Sequence, residues 1–159
     1  MSTKANRQFL SEHPVFSRLA DSDLDFLAEN SQTLSLEPGE WLFREGGAAD
    51  SFFIILQGQV GLLTNAAHGH PLVVQSLDTR EIVGLSWIVP PYTWGFDARV
   101  CQSTMVMQVD ARALRARCET DPAFGFATMR KVSELMLERL QAVRSHMAER
   151  IHELEGKVQ

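Results

Sequence analysis

Cysteine is scarce in this chain: Cys101 and Cys118 are the only two in 159 residues, and no Cys-x-x-Cys or Cys/His spacing surrounds them. That argues against a structural zinc or iron-sulfur site and reads as two reduced thiols in a cytoplasmic protein, with a single disulfide allowed but not needed. Positive charge is also short. Fifteen Lys and Arg stand against 20 Asp and Glu, a formal net charge of -5, so no overall field draws in nucleic acid or anionic lipid, and direct nucleic-acid contact is not expected. Long apolar runs are missing: nothing approaches the ~18 residues that a membrane span needs, and the opening "MSTKANRQFLSEH" has no signal-peptide core. No membrane association is expected. Complete catalytic and metal sets are lacking too. The pair His68 and His70 has the spacing of a metal-binding HxH, but the carboxylate that would complete it is absent from "PLVVQSL", which leaves a polar hairpin tip and no assigned metal. His13, His146 and His152 are scattered, and Ser86 has no His-Asp pairing in sequence, so no enzyme is expected.

What is present is a chain 45% hydrophobic and 22% charged, of a size that buries the core of one domain over 6–159. Three textures divide it. Over 6–30, Phe9, Leu10, Val15, Phe16, Leu19, Leu24, Phe26 and Leu27 recur near helical spacing, with Asp21 placed to cap the second run, and predict two short helices. Over 34–110, short apolar runs such as "WLF", "FFIIL", "LVVQSL" and "MVMQV" alternate with turn signals such as "EPGE" and "REGGAAD", which predicts an antiparallel jelly-roll barrel, an α+β fold once the helices are counted. Over 111–157 the pattern is helical, with Pro122 in the first turn of a long final helix.

That last helix carries an apolar stripe. Met129, Val132, Met136, Leu140, Val143, Met147, Ile151, Leu154 and Val158 are separated by 3, 4, 4, 3, 4, 4, 3 and 4 residues, a repeat of eleven that keeps one face nearly straight. Roughly its last five turns outrun any barrel wall, so Met136, Leu140, Val143, Met147, Ile151 and Leu154 are expected to face the same helix of a second copy, as a homodimer, with Arg139, Arg144, Glu149, Arg150 and Glu153 flanking the seam.

The stretch Leu36 to Leu63, "LEPGEWLFREGGAADSFFIILQGQVGLL", holds Pro38, Gly39, Glu40, Gly46, Asp50, Phe52 to Leu56 and Gly58 in an order that closely resembles the first half of a cyclic-nucleotide-binding domain. Those are the sensor modules of the catabolite activator and fumarate-nitrate regulator superfamily. "HPVFSRL" and "ERLQAVR" extend the likeness over most of His13 to Arg144. The resemblance implies that "REIVGLSWIVPPYTWGFDAR", Arg80 to Arg99, holds the phosphate-binding cassette, in which the family uses a Glu for the ribose hydroxyl and an Arg for the phosphate. Here Gly84 keeps the glycine, but Leu85 stands at the Glu position. The Arg position falls near Trp94, between Thr93 and Gly95. Losing both charged anchors costs about 100-fold or more in affinity for so polar a ligand, so ordinary cyclic AMP binding is disfavoured, the effector alternatives are a cyclic nucleotide and another small ligand, and no cofactor is assigned.

Counting back from "MVMQVD" puts Arg99 on an outward strand position beside Asp97, where the two read as a surface ion pair, Arg99 being the one substitute cation within the cassette. Trp87, Tyr92, Trp94 and Phe96 either plug the space of a nucleotide or line a pocket for a flat, less polar effector. On the resemblance, Gly84, Leu85, Ser86, Thr93, Trp94 and Gly95 line the site, with Arg139, Val143 and Arg144 at the helix positions that reach the base in the family, where Arg139 and Arg144 are candidates to replace part of the lost cassette Arg. Haem-carrying members of the superfamily make Met105, Met107 and the histidines candidate axial ligands, although Met at strand spacing reads as core. Transcription factors of the superfamily continue into a winged helix-turn-helix of about sixty residues. The sequence ends at Gln159, and the expectation is a stand-alone sensor that signals through its dimer helix to an unidentified protein partner. The competing expectation is a ligand-free dimeric scaffold with a plugged pocket.

Overall fold

A computed structural model describes residues 2–65, 69 and 71–158; His68 and His70 of the HxH pair lie outside them. Two helices open the chain, α1 (Thr3–Glu12) and α2 (Asp21–Glu29). Ser2 caps α1 by accepting a hydrogen bond from the Ala5 amide at 3.3 Å. Asp21, expected as the cap of α2, is instead its first helical residue, with Ala20 at the cap. Its carboxylate still favours the positive end of the helix and accepts from Arg7 at 3.1 Å.

Eight strands follow: β1 (Ser31–Leu36), β2 (Trp41–Phe43), β3 (Ser51–Gln57), β4 (Val60–Asn65), β5 (Pro71–Leu77), β6 (Ile82–Val83), β7 (Asp97–Val100) and β8 (Thr104–Asp110). They pair antiparallel into two four-stranded sheets, in the orders β1-β8-β3-β6 and β2-β7-β4-β5. The expected jelly-roll barrel is therefore not formed: neither sheet closes. Closure needs edge strands long enough to ladder, and two of the four edges are β6, with two residues, and β2, with three. Evenly spaced strands and turns encode hairpins, but they do not encode which edges meet. One apolar cluster joins the two sheets, with Ile54 and Met107 of the first and Val60 and Val100 of the second all buried.

Asp110 ends β8 and caps α3 (Ala111–Thr120), accepting from the Arg112 and Ala113 amides at 2.9 and 3.2 Å. Pro122 then starts α4 (Pro122–Val158), as the sequence predicts. Of its 37 residues, about 55 Å of helix, only Phe124 and Val132 are buried. Every described residue from Arg144 onward is exposed. No described helix is long and apolar enough to cross a membrane.

His13 is the buried titratable group that ties the N-terminal helices to the sheets. Its Nε2 donates to the Arg80 carbonyl at 2.6 Å and its Nδ1 accepts from the Val15 amide at 3.1 Å, an arrangement that fits only the neutral ring. Burial pushes the imidazole below its usual range, with the Arg80 carbonyl working against it. The unfolded chain thus takes up the proton first as pH falls. Stability from His13 is complete above the ordinary His range near pH 6.5 and declines as pH drops through it toward the lower folded value. Urea midpoints measured from pH 8 to pH 5.5 should fall with pH, and His13→Asn should flatten that slope; an unchanged slope would place the pH sensitivity elsewhere.

Candidate functional site

The cassette begins where β6 ends. Gly84 turns the chain at φ 92°, a left-handed conformation that glycine alone adopts cheaply, and Ser86–Ile88 form one turn of 3-10 helix. The loop's aromatic residues then separate into two jobs. Trp87 is buried and stacks on Phe52 at 5.4 Å between ring centroids. Its carbonyl accepts from Arg115 at 2.6 Å, and the same guanidinium donates to the Ala49 carbonyl at 3.0 Å, pairs with Asp50 at 3.3 Å and lies 4.4 Å over the Tyr92 ring. Arg115 of α3 therefore pins the first half of the loop to the fold. Trp94 lies nearly parallel to Phe43, 3.8 Å apart at 10°. Two backbone bonds tie its stretch to the turn before β3: Trp94 N–H to the Gly47 carbonyl and Gly46 N–H to the Trp94 carbonyl, both 2.9 Å.

Behind that stacked pair is an open cavity of about 380 Å³, within the range of small-molecule sites. From the cassette, Gly84, Leu85, Ser86, Trp94, Gly95 and Phe96 line it. The sheet β2-β7-β4-β5 adds Phe43, Leu62, Val74 and Gln75, and α4 closes it with Met136, Arg139, Leu140 and Val143. The aromatic residues thus form walls and leave space between them. A separate cavity beneath Leu85 and Trp87 holds only about 60 Å³, too little for an effector.

Two residues expected at the site are placed elsewhere. Thr93 bridges to Ala48 outside the lining, and Arg144 lies one helical face away, in a groove with Met147 and Ile151. Arg99 does not reach the cavity: its Nε donates to the Gly39 carbonyl at 3.1 Å and its guanidinium sits 5.1 Å over Trp41. Nor do Asp97 and Arg99 form the surface pair read from the sequence. Asp97 is buried and accepts from the Glu45 amide at 2.7 Å and from Arg44 at 3.3 Å. A carboxylate that satisfies a turn amide and a guanidinium gains more than one facing a solvated neighbour. Met107 is fully buried in the core cluster. Cys101 and Cys118 are free thiols, and burial raises the Cys118 thiol above its usual range.

Sequence reasoning missed Phe43, Leu62, Val74 and Gln75 as lining residues, which arrive through strand pairing and carry no local motif, and it gave Met136 and Leu140 to the dimer seam alone.

A Cβ on Gly84 would meet Cζ3 and Cη2 of Trp94 at 2.6 and 2.7 Å. The ring has the cavity to retreat into, so Gly84→Ala should still fold. It should lose about 1–3 kcal/mol, from the positive φ and the displaced ring, and should break the Phe43 stack. Thermal unfolding and tryptophan emission check this together; wild-type values of both would mean that Gly84 does not set the position of Trp94.

The family model of the cyclic nucleotide-binding domain matches residues 33–121 of this chain. Among solved structures, a candidate cyclic nucleotide-binding protein from Geobacter metallireducens GS-15 is 27% identical, with 88% of this chain and 98% of that one covered at a TM-score of 0.76. A cyclic nucleotide-binding domain from Methylobacillus flagellatus KT is 14% identical, with 93% and 83% covered and a TM-score of 0.76. The sensor domain of the transcriptional regulator DNR from Pseudomonas aeruginosa is 18% identical, with 87% and 93% covered and a TM-score of 0.72. The last two likenesses are of fold.

Proposed function

The chain belongs to the cyclic nucleotide-binding domain family, and from that premise we propose that it is a homodimeric regulatory module that holds a small effector between the cassette and α4 and signals through α4 to a protein partner. Sensor domains of this kind are non-catalytic regulatory modules. The observation that carries the reading is the open cavity of about 380 Å³ with the cassette on one side and Met136, Arg139, Leu140 and Val143 on the other. An occupant touches loop and helix at once, so it has differential contacts with any two placements of α4, which is what a population shift requires. A ligand-free scaffold needs that space filled.

The occupant is not expected to be an ordinary cyclic nucleotide. Leu85 and Trp94 face the cavity where the family places its Glu and Arg, so at those two positions ribose and phosphate would meet apolar side chains. Calorimetry with cyclic AMP and cyclic GMP should give no micromolar binding; a micromolar or tighter Kd would overturn that discount.

The module itself is tested by a small-molecule panel read as thermal midpoint and as amide exchange in α4. A ligand at 100 times its Kd adds about 2.7 kcal/mol to stability, enough to move the midpoint by several degrees. The expected hit also slows exchange at 136–143. A panel without one would return the scaffold reading. The partner is sought by pull-down from the native cell.

A further inference from the structure

Among the described residues Arg139 is the single charged side chain in the lining of the large cavity, against walls built from Phe43, Leu62, Trp94 and Leu140. The ion pairs of α4, Arg130 and Lys131 with Glu134, lie more than a turn before it, and among the described residues Arg139 makes no ion pair or hydrogen bond. Burial disfavours its charge, and Glu81 and Glu138 only partly compensate. A guanidinium stays protonated regardless, so the half-buried cation is held with part of its hydration lost and no anion in return. An anion delivered into the cavity recovers that loss, and an Arg fork holds a carboxylate with two parallel bonds.

The rest of the cavity defines the body of such a ligand. The Phe43–Trp94 stack offers a flat aromatic wall, and aromatic rings favour offset or edge contacts with another ring. Volume at the low end of the ligand-site range admits one or two rings. Leu85 offers nothing to a sugar hydroxyl. Gln75 adds one amide.

Resting on the effector reading above, we propose that this cavity selects a small aromatic organic anion, its carboxylate on Arg139 and its ring against the Phe43–Trp94 wall. A doubly polar ligand such as a nucleotide is disfavoured because one cation, one amide and the Ser86 hydroxyl, with no carboxylate for the ribose, cannot satisfy phosphate and ribose together.

The test is calorimetry with a matched pair, indole-3-acetate and its neutral isostere indole-3-acetamide, with cyclic AMP as a third titrant. The acid should bind at least about tenfold more tightly than the amide, the range of a charge-assisted bond. Arg139→Gln should bring the ratio to about one by weakening the acid selectively, and Arg139→Lys should keep a preference of several-fold; circular dichroism confirms that each variant is folded. Equal binding of acid and amide to the wild type overturns the anion inference and leaves the effector reading standing. Binding of cyclic AMP with neither indole compound bound at millimolar concentration does the same. If none of the three binds, the inference falls, and the effector reading is decided separately by the thermal panel.

Discussion

Leu140→Glu combined with Met147→Glu is expected to convert a dimer to monomers without unfolding the sheets. Met136, Leu140, Met147, Ile151 and Leu154 are between 38% and 63% exposed in the single chain, and none of the described residues from Arg144 to Val158 is covered. An apolar stripe of that length in water calls for a cover, and the repeat of eleven suits a second, parallel and nearly straight copy of itself. Each stripe residue contributes on the order of 1.5–3 kcal/mol when fully buried. Several such residues on each helix outweigh the cost of association at micromolar concentration. Two glutamates per chain put like charges across the twofold axis in a seam without water. Sedimentation velocity should report monomers, with far-UV circular dichroism unchanged apart from α4. Because Leu140 also lines the cavity, Met147→Glu alone is the companion variant: it weakens the dimer and leaves the lining intact. A double variant that stays dimeric would place the association surface elsewhere.

How far the sequence could be read follows from which interactions are local. Helices were legible because caps and periodicity lie within a few residues of one another. Pro122 opens α4 where it was expected, whereas Asp21 was misplaced by one position because an Asp serves a helix at the cap and in the first turn alike. Strand runs and turns were legible for the same reason. Closure was not, since a barrel is a statement about edges such as β2 and β6 that are far apart in sequence.

The site divides along the same line. The family resemblance named Gly84, Leu85, Ser86, Trp94 and Gly95 on one loop and Arg139 and Val143 on one helix face, and the structure places both sets around one cavity. Phe43 and Leu62 join them because β7 pairs with β2 on one side and with β4 on the other. Asp97 was read from its own strand as a neighbour of Arg99; the partner it takes, the Arg44–Glu45 turn, is 52 residues away from it at the Glu45 amide. Trp94, ambiguous between plug and wall, is a wall because Phe43 holds it flat.

Gly58→Ala should be strongly destabilising. Gly58 sits between β3 and β4 at φ 116°, and a Cβ there would lie 2.3 Å from Thr104 Oγ1 and 2.8 Å from Thr104 Cα. A rotamer change could clear the hydroxyl, but the Cα cannot give. Thr104 begins β8 and pairs with Leu36 of β1, while the next residue, Met105, pairs with Gln57 of β3. Its hydroxyl also accepts from the Gln59 amide at 3.2 Å and donates to the Gln102 carbonyl at 2.7 Å, so moving it breaks bonds on both sides of the corner. Gly46→Ala isolates the backbone part of the cost, because Gly46 has a similar φ of 85° and nothing within 4 Å of the added carbon. That variant should lose about 1 kcal/mol, the cost of a left-handed alanine. Gly58→Ala should lose about 3 kcal/mol or more, lowering the thermal midpoint by roughly 6–12 °C in a chain of this size. Two variants equally destabilised would show that the corner relaxes and that the conformation of Gly58, rather than its contact with Thr104, is what the position requires.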